Sequence, residues 1–335
     1  MATDTLYDVL GMGNAIVDVI AHADDQFINE LEIVKGSMTL IDEATAEKVY
    51  ERMAPGIECS GGSGANTIAA LASLGGAGAF IGKVKDDQLG KVFRHDITAL
   101  GIAFETTSNT DGASTARCMI HVTPDAQRTM QTYLGACVDL GPDDIDEEMV
   151  ANAQVTYMEG YLWDPENAKQ AFLKAARVAK AAGRRVSLSL SDPFCVGRHR
   201  DSFLDLVENH VDVLFANEEE IMSLYQVESF DEAMQEVRGH CAIAALTRSE
   251  KGSVIVAGDE VHIVDAELVG KVADTTGAGD AYAAGFLYGL THGQPLDICA
   301  RLGGIAAAEI ISHVGARPDT SLARLVAGIL KDNSQ

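Results

Sequence analysis

Asp274-Thr-Thr-Gly-Ala-Gly-Asp-Ala-Tyr-Ala-Ala-Gly-Phe286 is the most informative stretch of the chain. Ala281 to Leu290 reads as a buried helix of small and apolar residues, with Gly277, Ala278 and Gly279 just before it. Small residues there leave the first N–H groups of the helix open at the positive end of its dipole, which makes an anion hole. Asp280 opens the helix. A carboxylate beside bound phosphate can take the proton of an attacking hydroxyl. Taken alone, these four residues read equally well as a tight turn with Asp280 as N-cap. Asp274 six residues earlier and the small-residue helix afterwards move the reading to chemistry. The dipole also predicts a lowered pKa for Asp280, which a loose phosphoryl-transfer transition state tolerates because the alcohol's proton leaves late.

Outward from this run, short apolar segments alternate with helical ones. Tyr7–Gly11, Ile16–Ile20, Gly78–Gly82, Thr156–Glu159, Arg185–Leu190, Val213–Ala216 and Ala242–Thr247 read as strands. Thr67–Leu74, Glu166–Ala182 and Phe230–Arg238 read as helices. That rhythm predicts an α/β fold with a mainly parallel sheet covered on both faces. Between Phe104 and Leu134 there is no good helix. Thr115–Val122 and Arg128–Leu134 read instead as two strands around the turn Thr123-Pro124-Asp125. With strand-like material near 16–22 and 37–41, they predict a small separate sheet from about 16–42 and 104–134, of the kind that works as a lid.

The chain has 335 residues, 25 Lys plus Arg against 50 Asp plus Glu, and a formal net charge of −25. Such an excess of acid excludes a general nucleic-acid binder and argues against an anionic membrane surface as a partner. It leaves room for a small phosphate ligand held by backbone amides and a few local cations. Cys59, Cys118, Cys137, Cys195, Cys241 and Cys299 stand singly, with no paired spacing, as expected of thiols in a reducing compartment. Met1 to Asp8 shows no signal-peptide pattern, and no apolar run is long enough to span a bilayer. The expectation is a soluble cytoplasmic protein.

Three further motifs carry polar groups. Gly61-Gly62-Ser63-Gly64-Ala65-Asn66-Thr67 is a glycine-rich turn into a helix beginning near Asn66, open to a polyhydroxy ligand. Gly11-Met12-Gly13-Asn14-Ala15-Ile16-Val17-Asp18 superficially matches a dinucleotide fingerprint, but Ile16 stands where the third glycine belongs and a strand follows instead of a helix. What remains is Asn14 and Asp18, both able to bind hydroxyls. Asn217-Glu218-Glu219-Glu220 follows the strand Val213–Ala216, where α/β proteins bind ligands and where a hydrated Mg²⁺ bridging phosphates would be suited. No Walker A pattern occurs.

Together these motifs resemble the ribokinase-like (PfkB) carbohydrate and nucleoside kinases, nearly end to end. Gly61–Asn66 is similar to the family's N-terminal signature, Asp274–Phe286 to its C-terminal signature, and Asn217-x-x-Glu220 to its metal and phosphate motif. The Gly13-Asn14-x-x-x-Asp18 opening, Ser189–Phe194 and Ile310–Gly315 resemble adenosine kinases most. The resemblance implies one ribokinase-like domain over 1–335, with a three-layer α/β/α core and a β-sheet lid. It implies Asp280 as base, Gly277, Ala278 and Gly279 as anion hole, and Arg128 closing over the phosphates. Asn14, Asp18, Gly62, Ser63 and Asn66 would hold ribose hydroxyls, with Tyr161 towards the base. Leu134, Leu162 and Trp163 are further base-pocket candidates. Asn217, Thr247, Arg248, Gly252 and His313 would face ATP. Glu220 would hold Mg²⁺ through water, and Asp274 and Thr276 a monovalent cation such as K⁺. The implied reaction is transfer of the γ-phosphoryl group of ATP to the 5′-hydroxyl of a purine nucleoside, adenosine first. A sugar kinase acting on ribose, fructose or a keto-sugar acid is the alternative. A non-catalytic nucleoside-binding regulator is the alternative of another class. Monomer and homodimer both stay open.

Overall fold

The apolar runs form strands in a computed structural model that describes residues 5–125 and 127–332. Met1–Asp4, which entered the signal-peptide reading, lie outside the described residues. In chain order the strands are β1 (Tyr7–Met12), β2 (Ile16–His22), β3 (Met38–Leu40), β4 (Ile57–Gly61), β5 (Gly78–Ile81), β6 (Ala116–Val122), β7 (Arg128–Tyr133), β8 (Ala153–Glu159), β9 (Arg185–Ser189), β10 (Val213–Asn217), β11 (Ile243–Thr247), β12 (Ser253–Ala257) and β13 (Glu260–Val264).

Eight of them make one sheet in the order β13-β12-β11-β10-β9-β8-β1-β5. Neighbours from β5 to β11 run parallel, and β12 and β13 add an antiparallel hairpin at the edge. Strands apolar on both faces need helices on both sides. Leu10 and Met12 of β1 join one core with Phe172 and Phe203, from the helices Glu166–Ala181 and Pro193–Asn209. Val9 joins the other core with Ile68 and Phe286, from the helices Ser63–Leu74 and Ala278–Thr291. The expected α/β/α stack is therefore present.

The other five strands form the smaller sheet, in the order β3-β7-β6-β2-β4. β6 and β7 pair antiparallel around the expected turn, where Thr123 donates from N to Gln127 O at 2.9 Å. The sheet departs from the expected composition at β4, which pairs with β2 and lies outside 16–42. An edge strand packs only part of its length, so Ile57-Glu-Cys-Ser-Gly shows no clear apolar alternation. Helices Glu43–Arg52 and Gln88–Ala99 cover one face through Val49, Phe93 and Ile97. The opposite face carries Ile16, Asp18 and Ile20 of β2 with Cys118 and Ile120 of β6, as register and alternation require.

Both site helices start three or more residues earlier than the sequence suggests. Ser63–Leu74 starts directly after Gly62, whose φ of +89° suits a glycine and whose added side chain would meet Asn14 O at 2.2 Å. Ala278–Thr291 starts directly after Gly277, also left-handed at φ +79°.

Candidate active site

The start of the helix Ala278–Thr291 decides what Asp280 can do. Gly277 is the N-cap and Asp280 lies inside the first turn, so Asp280 is not a cap. Its carboxylate instead accepts from Ser63 Oγ at 2.6 Å and Asn66 Nδ2 at 3.3 Å. The C-terminal motif and the glycine-rich turn, more than 200 residues apart, thus meet at one carboxylate. A side chain added to Gly279 would meet no atom within 4 Å, so space is open over the helix N-terminus. Burial pushes the Asp280 carboxyl up to about 6, against the pull of Ser63, Asn66 and the Arg317 charge. The dipole expectation of a lowered pKa is therefore overturned: desolvation outweighs it. A base near pKa 6 is still ionised at neutral pH and accepts a proton more readily than an ordinary aspartate.

Beside Asp280 lies a cradle made mostly of acceptors. Asn14 donates from Nδ2 to Glu159 Oε1 at 2.7 Å and from its N–H to Oε2 at 3.3 Å; Gly64 N–H donates to the same Oε2 at 2.7 Å. Glu159 closes β8 and is 1% exposed. Burial raises its carboxyl to about 7 although these donors oppose the shift. Because the Asn14 and Asn66 amide nitrogens face carboxylates, their oxygens are left for a ligand, and both oxygens are buried without partners. Asp18 stands against Gly61, where an added Cβ would lie 2.4 Å from its carboxylate. Burial brings Asp18 up to about 6, opposed by Arg317 and Arg128 and reinforced by Asp280. Two amide oxygens and a carboxylate in one cradle call for hydrogen donors, which hydroxyl groups supply.

Arg128 and Asp274 pair at the position where a monovalent cation is expected. Arg128 Nη1 lies 2.7 Å from Asp274 Oδ2, with both side chains under a tenth exposed. Gly315 N–H also donates to Oδ2, at 3.2 Å, while Thr276 donates to Oδ1 from N–H at 3.1 Å and Oγ1 at 2.8 Å. Four donors occupy the roughly four acceptor positions of a carboxylate. In this arrangement the Arg128 guanidinium supplies the positive charge beside Asp274. Arg128 Nε and Nη2 remain buried and unpartnered.

A second group lies at the carboxyl ends of β10 and β11. Asn217 and Thr247 are register partners across these strands. Asn217 and Glu220 form a capping box: Asn217 donates from N at 2.9 Å and Nδ2 at 2.7 Å to the two Glu220 oxygens, and Glu220 N–H donates back at 2.8 Å. Burial raises Glu220 to about 7. Each of its oxygens keeps an acceptor position for a metal-bound water, so Glu220 fits Mg²⁺ held through water. Among the described residues no group of three or more His, Cys, Asp or Glu could hold a metal directly. Arg248 is committed to Glu218 at 3.0 Å and lies 4.1 Å over the Phe230 ring. Gly252, at φ +80°, turns the chain into β12. His313 pairs with Glu309 at 3.1 Å and braces the loop that follows it.

The base-pocket candidates divide. Tyr161 is at the surface, bonded through N–H and hydroxyl to Ser191 at 3.1 and 3.2 Å. Leu134 is half-buried beside the Asp18-bearing face of the smaller sheet. Leu162 and Trp163 are 1% and 3% exposed, and Trp163 stacks on Phe203 and donates to Ser202 Oγ at 2.8 Å. Both belong to the core, and their candidacy ends there. Glu159 and Arg317 were missed by sequence reasoning. A lone acid closing the apolar run Thr156–Glu159 could have signalled the first; nothing in the local pattern signals the second.

Residues 13–322 match the family model described as pfkB family carbohydrate kinase. The chain belongs to the PfkB family. It is accordingly a phosphotransferase with an alcohol group as acceptor, of a family that uses ATP and usually Mg²⁺. Among solved structures it resembles the adenosine kinase of Sinorhizobium meliloti, at 52% identity and a TM-score of 0.89 over 97% of this chain and 99% of that one. A Rhizobium etli protein described as a "probable sugar kinase protein" is 50% identical, with a TM-score of 0.90 over the same shares of the chains. The ATP-dependent ribose-1-phosphate kinase of Halopiger xanaduensis is 32% identical over 69% of this PfkB chain and 73% of its own. Among the described residues no helix is long and apolar enough to cross a membrane.

Proposed function

We propose that this kinase transfers the γ-phosphoryl group of ATP to the 5′-hydroxyl of a purine nucleoside, adenosine above all. The observation that carries the reading is the acceptor cradle of Asn14 Oδ1, Asn66 Oδ1 and the Asp18 carboxylate, set beside Asp280 at an open helix N-terminus. The cradle takes the hydrogens of the sugar hydroxyls. Asp280 takes the proton of the attacking hydroxyl as the O5′–Pγ bond forms and the bond from Pγ to the bridging oxygen of ADP breaks. The N–H groups of the first helical turn meet the charge on the transferred group. Mg²⁺, when bound through water at Glu220, neutralises phosphate charge and aligns the phosphates. The smaller sheet serves as the lid, its Asp18-bearing face offering Ile16, Cys118 and Leu134 as an apolar wall for a purine.

The likeness to an adenosine kinase along nearly the whole chain favours the nucleoside. The similarly close likeness to a protein described as a sugar kinase favours the second reading, a free sugar. Parallel kinetics with adenosine, inosine, ribose and fructose separate them. Base stacking is worth about 1–3 kcal/mol, so adenosine should exceed ribose by about 10- to 100-fold or more in kcat/KM. Ribose or fructose outperforming every nucleoside overturns the nucleoside and leaves the kinase.

A further inference from the structure

The loop after the helix Leu296–Ile311 is built into the site at three successive residues. Gly315 N–H donates to Asp274 Oδ2, Ala316 packs against Gly277, and Arg317 donates from Nη2 to the backbone oxygen and the hydroxyl of Ser60, at 2.7 and 2.9 Å. Ser60 is itself anchored, its N–H donating to Asp96 Oδ2 at 2.7 Å. Glu309 braces the far side of the loop, accepting from Asp319 N at 3.0 Å and Thr320 N at 2.7 Å. The guanidinium is thus fixed in place. Its Nε and Nη1 are nevertheless buried and without partners.

Ser60 and Gly61 are adjacent at the end of β4. Arg317 lies on Ser60, and the Asp18 carboxylate lies against Gly61. The two charged groups are thus anchored at neighbouring residues of β4, and each feels the other's charge without forming an ion pair. The Asp18 carboxylate can accept, and Nε and Nη1 of Arg317 are donors still without an acceptor. A hydroxyl between them satisfies both, giving its hydrogen to Asp18 and taking an N–H from Arg317 on its oxygen.

We propose that Arg317 is a specificity-determining residue that clamps, together with Asp18, one hydroxyl of the acceptor's vicinal diol. The proposal rests on the nucleoside reading above. It is tested with wild type, Arg317→Met and Arg317→Lys on adenosine, 2′-deoxyadenosine and 3′-deoxyadenosine under saturating MgATP. A hydrogen bond to a charged group is worth about 10- to 150-fold. Arg317→Met should lose that factor in kcat/KM for adenosine, keep its KM for ATP, and change little towards the deoxy analogue that lacks the clamped hydroxyl. Discrimination between the two should collapse, and Arg317→Lys should recover part of it. Circular dichroism and thermal unfolding establish folding; if Arg317→Met does not fold, the Lys variant carries the test by intermediate discrimination. A folded variant that keeps the wild-type discrimination, or that loses adenosine and both analogues by one common factor, overturns the clamp and leaves Arg317 as a prop for Ser60. Absence of wild-type turnover on adenosine is a failure of the nucleoside reading instead. Ribose and 2-deoxyribose then replace the nucleosides, with the same collapse expected.

Discussion

Arg128 Nη1 sits 2.7 Å from Asp274 Oδ2, so a strand of the smaller sheet is ion-paired to the segment that leads into the helix Ala278–Thr291. Both side chains are nearly buried, which sets the cost of breaking the pair. Removing one partner of a buried pair costs about 3–5 kcal/mol, because the remaining charge is left uncompensated. Arg128→Met should therefore lower stability by that order in urea unfolding at neutral pH. A loss within the error of the measurement would mean that the pair behaves as a solvated one.

The same four-donor arrangement predicts indifference to monovalent cations. Replacing K⁺ by tetramethylammonium at constant ionic strength should leave wild-type turnover and melting temperature unchanged. Strong activation or stabilisation by K⁺ alone would show that Asp274 exchanges Arg128 for a cation.

Asp280→Asn should lower kcat by about 10²- to 10⁴-fold, the usual contribution of a general base. Calorimetry should find nucleotide and acceptor binding nearly intact, since the amide oxygen that replaces the carboxylate can still accept from Ser63 or Asn66. Near-normal kcat in this variant would remove Asp280 from the role.

Activity and stability should respond to pH in opposite directions. Asp280 and Asp18 both titrate near 6 in the folded protein, and both must be ionised to accept hydrogens from substrate. The acidic limb of kcat/KM should therefore fall as pH drops through about 6, with one apparent pKa or two coupled ones. For stability the sign reverses. A carboxyl raised above its ordinary value binds its proton more tightly when folded, so its contribution is full below the unfolded pKa and is lost as pH rises through about 6. Asp280→Asn should accordingly gain in melting temperature over wild type as pH is raised from about 4.5 to about 7.5, across that titration. A gap independent of pH would show that the carboxyl is not raised.

Asp18→Ala should raise the acceptor KM by about 10- to 150-fold while leaving the ATP KM unchanged, because a charged hydrogen bond is lost on one side only. An equal rise in both constants would mark a folding defect.

The fold was legible where hydrophobic period and glycine punctuation agree: β1, β6, β7, β8 and the helix Glu166–Ala181 fall within a few residues of their expected bounds. β4 was not legible, because an edge strand needs no alternating core face. Asp280, Asn66, Ser63 and Asn14 were legible as neighbours of glycine turns, and the structure brings them together. Arg317 was not, because its place depends on a contact to Ser60, far from it in sequence, and on the seating of its neighbour Ala316 against Gly277. Trp163 misled because a tryptophan next to a strand end serves a core as readily as a pocket. The helix dipole misled at Asp280 because burial cannot be read from the residues beside it.

Gly62 and Asn14 also touch. The chain passes from the larger sheet to the smaller at Gly13–Ala15 and returns from β4 into the helix at Gly62, and no side chain fits between these two passages. The groups offered to the acceptor sit on the passages themselves: Asn14 on the first, Ser63 and Asn66 just past the second. A molecule seated there bears on two of the connections between the sheets as well as on their facing surfaces. A substitution at either passage is thus expected to alter acceptor affinity and the set of the smaller sheet together.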